Sequence, residues 1–144
     1  MPTLLVTNDF PPRVGGIQSY LVALADRLPA GRLIVHAPAW PGAAAFDATR
    51  PYPVHRHPTS LMLPVPAVAR RAAELARAYD AGSVWFGAAA PLALLGAGLR
   101  RTAGVRRIVA STHGHEIGWS MLPGSRQALS VFGQSKGTTL NLSK

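Results

Sequence analysis

The stretch that most constrains the fold of this chain is a proline- and glycine-rich loop between an apolar strand and a helix. Residues 3–7 (TLLVT) are apolar and rich in β-strand formers, which predicts a buried strand. The loop at residues 8–16 (NDFPPRVGG) contains two stiff prolines, two adjacent glycines and a carboxylate. From Ile17 to Leu28 apolar residues recur at helical spacing, and Pro29 ends the pattern. A loop of this composition allows a ligand to approach the backbone closely.

The alternation of strand and helix continues along the chain. Strands are predicted at residues 3–7, 32–37, 53–58, 83–86 and 107–112, and helices at 17–28, 65–79 and 91–101. Residues 38–53 predict a long loop, and the proline-flanked strand 53–58 suits a sheet edge. This order predicts an α/β fold with a doubly wound parallel sheet. Because ligands of such sheets bind outside the carboxyl ends of the strands, the loop at residues 9–16 and residues 113–116 are expected to face the same site.

Composition and charge exclude several classes of protein. The chain has 144 residues, of which 48% are hydrophobic and 15% charged, as expected of one ordered domain. No apolar run reaches the roughly 18–20 residues of a membrane span, and the first residues lack the features of a signal peptide. The absence of cysteine fits a cytoplasmic location. The net charge of +9 comes from scattered arginines without a nucleic-acid-binding motif, which favours an anionic substrate or lipid surface over nucleic acid.

The end of the chain differs in composition from the rest. Residues 130–144 contain no arginine, alanine or proline, and they hold the only two lysines of the chain. We interpret residues 1–129 as the domain, and residues 130–144 as an atypical polar tail that is frameshifted or non-native. An ordinary polar tail is the alternative interpretation.

Asp9, Gly15 and Gly16 are the first candidate site residues. Glycines at a helix start let a ligand approach without a Cβ in the way, and the helix N-terminus favours an anion such as phosphate. The Asp9 carboxylate is suited to accept hydrogen bonds from the hydroxyls of a polyol. The alternative is a simple turn with a solvated acid. The third glycine of the dinucleotide fingerprint is absent, which argues against a dehydrogenase.

His113 is the second candidate, in the sequence His113-Gly114-His115-Glu116 just past a predicted strand. A histidine there can donate hydrogen bonds to a sugar or stabilise charge that develops beside it. The two histidines and the carboxylate also suit a metal, although no further ligands are evident. The third interpretation is a loop of hydrogen-bonded histidines at a helix start.

The predicted helix at residues 65–79 has one basic face. Arg70, Arg71 and Arg77 lie opposite its apolar stripe, and Arg70 is spaced for an ion pair with Glu74. A solvated surface is one interpretation. Attraction to anionic lipid headgroups is the other, and it makes these arginines candidates for membrane contact.

Two stretches together resemble a known family. They are residues 6–20 (VTNDFPPRVGGIQSY) and residues 111–126 (STHGHEIGWSMLPGSR). In this form they resemble the N-terminal, Rossmann-like domain of family 4 retaining glycosyltransferases of the GT-B fold and, more narrowly, actinobacterial phosphatidylinositol mannosyltransferases that use GDP-mannose. The resemblance covers residues 1–129.

The resemblance implies an active site in the cleft between two Rossmann-like domains. The N-terminal domain would bind the acceptor, and the C-terminal domain most of the nucleotide sugar, GDP-mannose. The family retains anomeric configuration, works without a metal or cofactor, and uses the donor's phosphate to help deprotonate the acceptor. By this likeness Gly15 and Gly16 would lie against the phosphates, and His113 would contact the transferred mannose.

The resemblance also implies what the acceptor side looks like. Asp9, Arg13 and Gln18 would face an inositol-type glycolipid acceptor, and the basic helix face would dock at the inner face of the plasma membrane. The family's cationic pair and Glu-rich donor motif have no counterpart in this chain. We therefore expect the chain alone to lack appreciable transferase activity, because groups that meet developing charge usually supply the largest catalytic term. A non-catalytic binding or interaction module is the alternative.

Overall fold

The structure, a computed structural model, describes residues 1–112 and 141–142. These residues form a parallel sheet in the order β3-β2-β1-β4-β5-β6. The strands are β1 (Thr3–Val6), β2 (Leu33–Pro38), β3 (Val54–His57), β4 (Ser83–Phe86), β5 (Arg107–Thr112) and β6 (Asn141–Leu142). The α-helices are α1 (Gly16–Ala25), α2 (Ala43–Asp47), α3 (Pro66–Ala78) and α4 (Gly96–Ala103), and a 3-10 helix covers Leu92–Leu95.

The strand order confirms the predicted α/β, doubly wound, Rossmann-like sheet. β1 lies in the centre, with β2 on one side and β4 on the other. The chain therefore reverses its direction of winding between β1 and β4, and this reversal creates a crevice at the carboxyl ends of these two strands. β3 lies at the edge of the sheet, as its flanking prolines predict.

Hydrophobic cores cover both faces of the sheet, which is why its strands are apolar runs rather than alternating patterns. In β1, Leu4 and Val6 pack with the core beneath α3 and α4, whereas Leu5 packs with the core beneath α1 and α2. All three side chains are fully buried. Burying one such side chain contributes about 2 kcal/mol, so the central strand anchors the two layers.

The prediction of a long loop over residues 38–53 is wrong in part, because α2 forms within it. Gly42 adopts a left-handed conformation directly before this helix, and an alanine run begins it. The helix is fixed by Phe46, whose ring meets the buried ring of Phe10 edge-on at 5.9 Å between centroids. Tertiary packing on the loop that follows β1 therefore creates a helix that the local pattern does not show.

Two helix boundaries differ from the prediction. α1 ends at Ala25, three residues before the predicted end, and Leu28 is exposed. The segment predicted as a helix over residues 91–101 begins as the 3-10 helix and continues as α4 to Ala103, where Gly104 takes the left-handed conformation that closes a helix.

The distinct tail at residues 130–144 stays a prediction. Apart from β6, whose two residues pair in parallel with Ser111 and Thr112, this segment lies outside the described residues. Over the part of the chain that the structure describes, none of the helices has the length and hydropathy that crossing a bilayer requires.

Candidate functional site

The loop after β1 lies at the carboxyl edge of the sheet, at the point where the winding reverses. The backbone N–H of Thr7 donates to the carbonyl of His36 on β2 at 3.1 Å, and that of Gly87 donates to Val6 at 3.1 Å. The Thr7 hydroxyl accepts the backbone N–H of Asp9 at 2.9 Å. A Cβ on Gly87 would lie 2.5 Å from the Thr7 hydroxyl oxygen, so this glycine lets the chain leaving β4 pass close to the loop.

Asn8 joins this loop to the segment between β3 and α3. Its side-chain amide donates to the carbonyl of Met62 at 2.8 Å, and its side-chain oxygen accepts the backbone N–H of Met62 at 2.7 Å. Met62 is fully buried. The paired bonds fix the start of the loop and orient the residue that follows it, Asp9.

Arg56 anchors the loop after β1 at Pro11. Its guanidinium donates to the carbonyls of Pro11 at 2.6 Å and Pro38 at 3.1 Å, and it pairs with Asp47 at 2.8 Å. The same group lies over the ring of Phe10, 5.6 Å from its centroid. Because the side chains of Arg56 and Asp47 are only 13% and 16% exposed, this charge pair is largely removed from water.

The structure brings Gly15, Gly16, Gln18 and Asp9 together at the start of α1. Gly15 has an extended backbone, and a Cβ there would collide with the side-chain oxygen of Gln18. Gly16 is exposed, and a Cβ there would meet no described residue within 4 Å. Gln18 is buried, and its amide donates to the Asp9 carboxylate at 3.5 Å. Gln18 thus orients Asp9 from inside the protein, whereas Gly16 leaves open space above the helix start.

Arg13 lies at the outer side of the same loop, half-buried. Its guanidinium sits over the ring of Trp40, 5.3 Å from the centroid. Val14, at the tip, is 95% exposed. Stacking on Trp40 restricts the arginine, and no carboxylate in the described part of the chain pairs with it, so its hydrogen-bond donors can meet an anionic or hydroxylated ligand.

The electrostatics at the start of α1 favour an anion. The N-terminus of α1 carries the positive end of the helix dipole, and no acidic residue lies in its first turn. The hydroxyl of Ser19 donates to the Gly15 carbonyl at 3.1 Å. Among the described residues nothing lies within 4 Å of a Cβ at Gly16, so the start of α1 is open on this side to an anion, which the helix dipole favours.

The three arginines predicted to contact a membrane lie away from this loop, on α3. Each of them makes different contacts. The predicted ion pair between Arg70 and Glu74 is wrong: Arg71 pairs with Glu74 at 3.5 Å instead, since residues three apart also meet on a helix. Arg77 donates to the carbonyl of Thr102 at 2.8 Å and so ties α3 to α4. Arg70 is exposed and lines a groove between these two helices.

His113 lies outside the described residues, so its predicted contact with a sugar stays a prediction. The described strand β5 ends at Thr112, at the carboxyl edge of the sheet. Within residues 1–112 and 141–142, no three histidine or acidic side chains are grouped so that they could hold a metal ion.

His36 is a notable residue at this edge to which the sequence assigns no role. It is fully buried within β2, and among the residues that the structure describes neither ring nitrogen has a hydrogen-bond partner. Burial lowers the pKa of His36 from 6.5 to about 4, and the nearby His57, Arg71 and His55 add to this lowering. The His57 ring meets it edge-on at 6.0 Å between centroids. The imidazole is therefore neutral at physiological pH.

The sequence alone could have drawn attention to His36, but not to Arg56. A histidine within the apolar run of β2 is a visible anomaly, because buried polar residues in central strands are uncommon. Arg56 lies between two histidines on an edge strand, and nothing in the sequence connects it with Asp47 or with the carbonyl of Pro11.

Comparisons with known proteins extend these observations. No protein-family model matches the chain. The chain is 61% identical over 134 residues to the GDP-mannose-dependent α-(1-6)-phosphatidylinositol monomannoside mannosyltransferase of Mycolicibacterium smegmatis, covering 90% of this chain and 35% of the relative. It is 53% identical over 133 residues to the corresponding enzyme for the monoacylated lipid in Corynebacterium glutamicum, covering 91% of this chain and 35% of the relative. The chain thus spans about a third of the length of these curated relatives.

Solved structures agree on the fold. The crystal structure of Anabaena Alr3699/HepE in complex with UDP-glucose matches 92% of this chain and 35% of its own, with a TM-score of 0.64 at 15% identity. The complex of the same protein with UDP matches with a TM-score of 0.60. The predicted resemblance is thereby confirmed: over nine-tenths of its length the chain is similar to a third of the GDP-mannose-dependent phosphatidylinositol mannoside mannosyltransferases, and it has the Rossmann-like fold of the N-terminal half of a GT-B glycosyltransferase.

Proposed function

We propose that this chain is the acceptor-binding part of an enzyme that transfers mannose from GDP-mannose to a phosphatidylinositol mannoside-type lipid. The observation that carries the proposal is the cluster of Asp9, Gln18 and Gly16 at the start of α1, in the crevice where the sheet reverses its winding. The relatives that are 53–61% identical bear names that state this activity. Because the chain spans 35% of their length, the activity of the whole enzyme is part of the proposal.

The chemistry of the cluster suits the headgroup of such a lipid. An inositol presents several hydroxyls, which can donate to the Asp9 carboxylate while Gln18 holds it in place. A phosphate fits the open space over Gly16 at the positive end of α1. Arg13 would contact the same headgroup from the tip of the loop, and His113 the mannose.

In the proposal, transfer itself requires groups beyond this chain. The proposal invokes no metal or cofactor. The donor's diphosphate leaves as an anion, so side chains or helix N-termini of the protein must supply the positive charge that meets it. The described part of the site offers Arg13 and a helix N-terminus for this purpose. Charge stabilisation is usually the largest catalytic term, so the chain alone is expected to bind an acceptor without turning it over.

Membrane contact at the cytoplasmic face is the second part of the proposal. A lipid acceptor requires the site to approach a bilayer, and the arginines of α3 provide positive charge that attracts anionic headgroups. All three arginines are exposed, but Arg71 pairs with Glu74 and Arg77 donates to the carbonyl of Thr102. The contact is therefore assigned first to Arg70, with Arg71 and Arg77 beside it.

The substitution Gly16→Ala tests the headgroup site. Within residues 1–112 and 141–142, nothing lies within 4 Å of a Cβ added at Gly16, so the variant should fold with equal or slightly higher stability. The methyl group would occupy the space that the phosphate needs, and we expect binding of a soluble glycerophosphoinositol mannoside to weaken roughly tenfold, about 1.4 kcal/mol. Isothermal titration and amide chemical shifts of the α1 start measure this loss.

Gly98→Ala is the matched control. Gly98 also lies in a helix, and a Cβ added there would also meet nothing within 4 Å, but it is on α4, away from the crevice. Headgroup affinity should be unchanged in this variant. Equal affinity of the Gly16→Ala chain and the unsubstituted chain would refute the site. Absence of headgroup binding by the folded, unsubstituted chain would favour the alternative, a non-catalytic interaction module.

A further inference from the structure

Trp40 presents an exposed indole ring beside the loop that follows β1. It lies two residues past the end of β2, and 36% of its surface is accessible. β1 and β2 are in parallel register, with Val6 opposite His36, so the loops after these two strands leave the sheet side by side at its carboxyl edge. Trp40 therefore lies at the same edge of the sheet as the candidate headgroup site.

The backbone on both sides of Trp40 is held by hydrogen bonds. The N–H of Ala39 donates to the carbonyls of His57 at 2.8 Å and Thr59 at 2.9 Å. The carbonyl of Trp40 accepts the N–H of Ala43 at 3.0 Å, where α2 begins. A side chain on a backbone fixed in this way can meet a ligand without the entropic cost of ordering a loop.

The packing of the protein does not account for this ring. Among the described residues, the two hydrophobic cores do not include Trp40, and α2 is held instead by the packing of Phe46 on Phe10. The contact that the indole does make is with a cation, because the Arg13 guanidinium lies over it at 5.3 Å from the centroid. Tryptophan and arginine are the residue types that most often dominate the energy of binding.

An indole beside a guanidinium suits a sugar ring. One face of a pyranose carries C–H bonds, which are apolar and pack on an aromatic face, whereas its hydroxyl oxygens accept hydrogen bonds from a guanidinium. Tryptophan makes such a contact at a low cost in conformational entropy, because its side chain has two rotatable bonds. A free phosphate would use the Arg13 donors and leave the Trp40 indole without a ligand.

We infer that Trp40, together with Arg13, is the specificity determinant that recognises the mannose already carried by the acceptor. The inference deepens the proposed function and rests on it, since the acceptor proposed there is a phosphatidylinositol mannoside, which has a sugar ring beyond its inositol. Arg13 follows Asp9 by four residues, so their Cα atoms lie at most about 14 Å apart. A headgroup of two linked six-membered rings with a phosphate can span such a distance. The Asp9 end of the loop thus takes the inositol, and the Trp40 end takes the mannose.

Binding of two soluble headgroups to the 144-residue chain tests this inference. The probes are glycerophosphoinositol and glycerophosphoinositol monomannoside, which differ only by the mannose. We expect isothermal titration to show roughly tenfold tighter binding of the mannoside, and Trp40→Leu to reduce this preference to about twofold or less. Trp40→Phe keeps an aromatic face and should retain most of the preference. In both variants the affinity for glycerophosphoinositol should change by less than about twofold.

Tyr79→Leu is the matched control for the loss of an exposed aromatic ring. Tyr79 is also 36% exposed, but it lies at the end of α3, where it contacts His55. Its replacement should leave the preference for the mannoside unchanged. Circular dichroism of each variant establishes that it is folded.

Fluorescence reports directly on the contact between the indole and the sugar. The emission of Trp40 is obtained as the difference between the unsubstituted chain and Trp40→Phe. It should change when the mannoside binds and stay the same when glycerophosphoinositol binds. Trp40 emission that saturating mannoside leaves unchanged would overturn the inference.

The inference and the proposed function fail separately in these experiments. Equal affinity of the unsubstituted chain for the two headgroups, or a folded Trp40→Leu chain that keeps the full preference, would overturn the inference while the headgroup site stands. Weaker binding of GDP-mannose by Trp40→Leu, with the preference for the mannoside intact, would overturn it by assigning the ring to the donor. If the unsubstituted chain binds neither headgroup, the proposed function fails and the inference fails with it. Gly16→Ala, by contrast, should weaken both headgroups alike, because both carry the phosphate.

Discussion

Replacing Arg56 with methionine is expected to lower the free energy of unfolding by about 3 kcal/mol, at the low end of the range for breaking a buried ion pair. The substitution leaves the Asp47 carboxylate, which is 16% exposed, without its partner. It also removes the donor to the carbonyls of Pro11 and Pro38. Urea denaturation followed by circular dichroism measures the change.

Arg50→Met is the matched control for this prediction. Arg50 pairs with Asp26 at the same distance of 2.8 Å, but the two side chains are 22% and 39% exposed. Exposed pairs contribute about 0–1 kcal/mol, so this variant should lose less than about 1 kcal/mol. Equal losses at the two positions would show that the Arg56 network does not hold the loop.

A second consequence of Arg56→Met is functional: loss of the Pro11 anchor should weaken headgroup binding in any Arg56→Met protein that stays folded.

Acidification is expected to cost the unsubstituted chain about 3 kcal/mol more stability between pH 7 and pH 4 than it costs His36→Leu. The pKa of His36 is lowered in the folded state to about 4, from 6.5, chiefly by burial. The His36 imidazole of the unfolded chain therefore becomes protonated below pH 6.5, whereas that of the folded chain becomes protonated only near pH 4. Stability from the neutral imidazole is complete above pH 6.5 and is lost as the pH falls through this window.

Unfolding free energies in urea at pH 7, 6, 5 and 4 test this pH dependence. Leucine fills a similar volume and cannot titrate, so the difference between the two stability curves isolates the imidazole at position 36. Carboxylates and the other histidines contribute to both curves. His55, whose pKa burial also lowers, remains in both proteins. Parallel curves over the whole range would mean that His36 is accessible to protons in the folded state.

Much of the fold could be predicted because it follows from short-range patterns. The apolar run at β1, the helical stripe of α3 and the prolines around β3 each specify one element, and the order of elements then specifies a parallel sheet. The topology brings the carboxyl ends of parallel strands to one edge. For this reason the loop with Asp9 and Gly16 could be placed at the candidate site before any contact was known.

The side-chain contacts that hold the candidate site in place could not be predicted in this way. The pairing of Arg56 with Asp47 depends on the α2 helix, which is held by the packing of Phe46 on Phe10, and its bond to the carbonyl of Pro11 joins residues far apart in the sequence. The orphaned ring of His36 depends on strand register. Periodicity places a residue on a face, but it does not specify which of several neighbours a long side chain reaches.

The central claim is that this chain supplies the acceptor side of a mannosyltransferase cleft. Its most direct test is a graft of residues 1–129 in place of the matching third of the Mycolicibacterium smegmatis relative, to which the chain is 61% identical. Mannosyl transfer from GDP-mannose to a phosphatidylinositol mannoside is then measured for the graft, for the graft with Gly16→Ala and for the 144-residue chain alone. We predict transfer by the graft, a loss of roughly tenfold or more with Gly16→Ala, and none by the chain alone. A folded graft without activity, or turnover by the chain alone, would contradict the account.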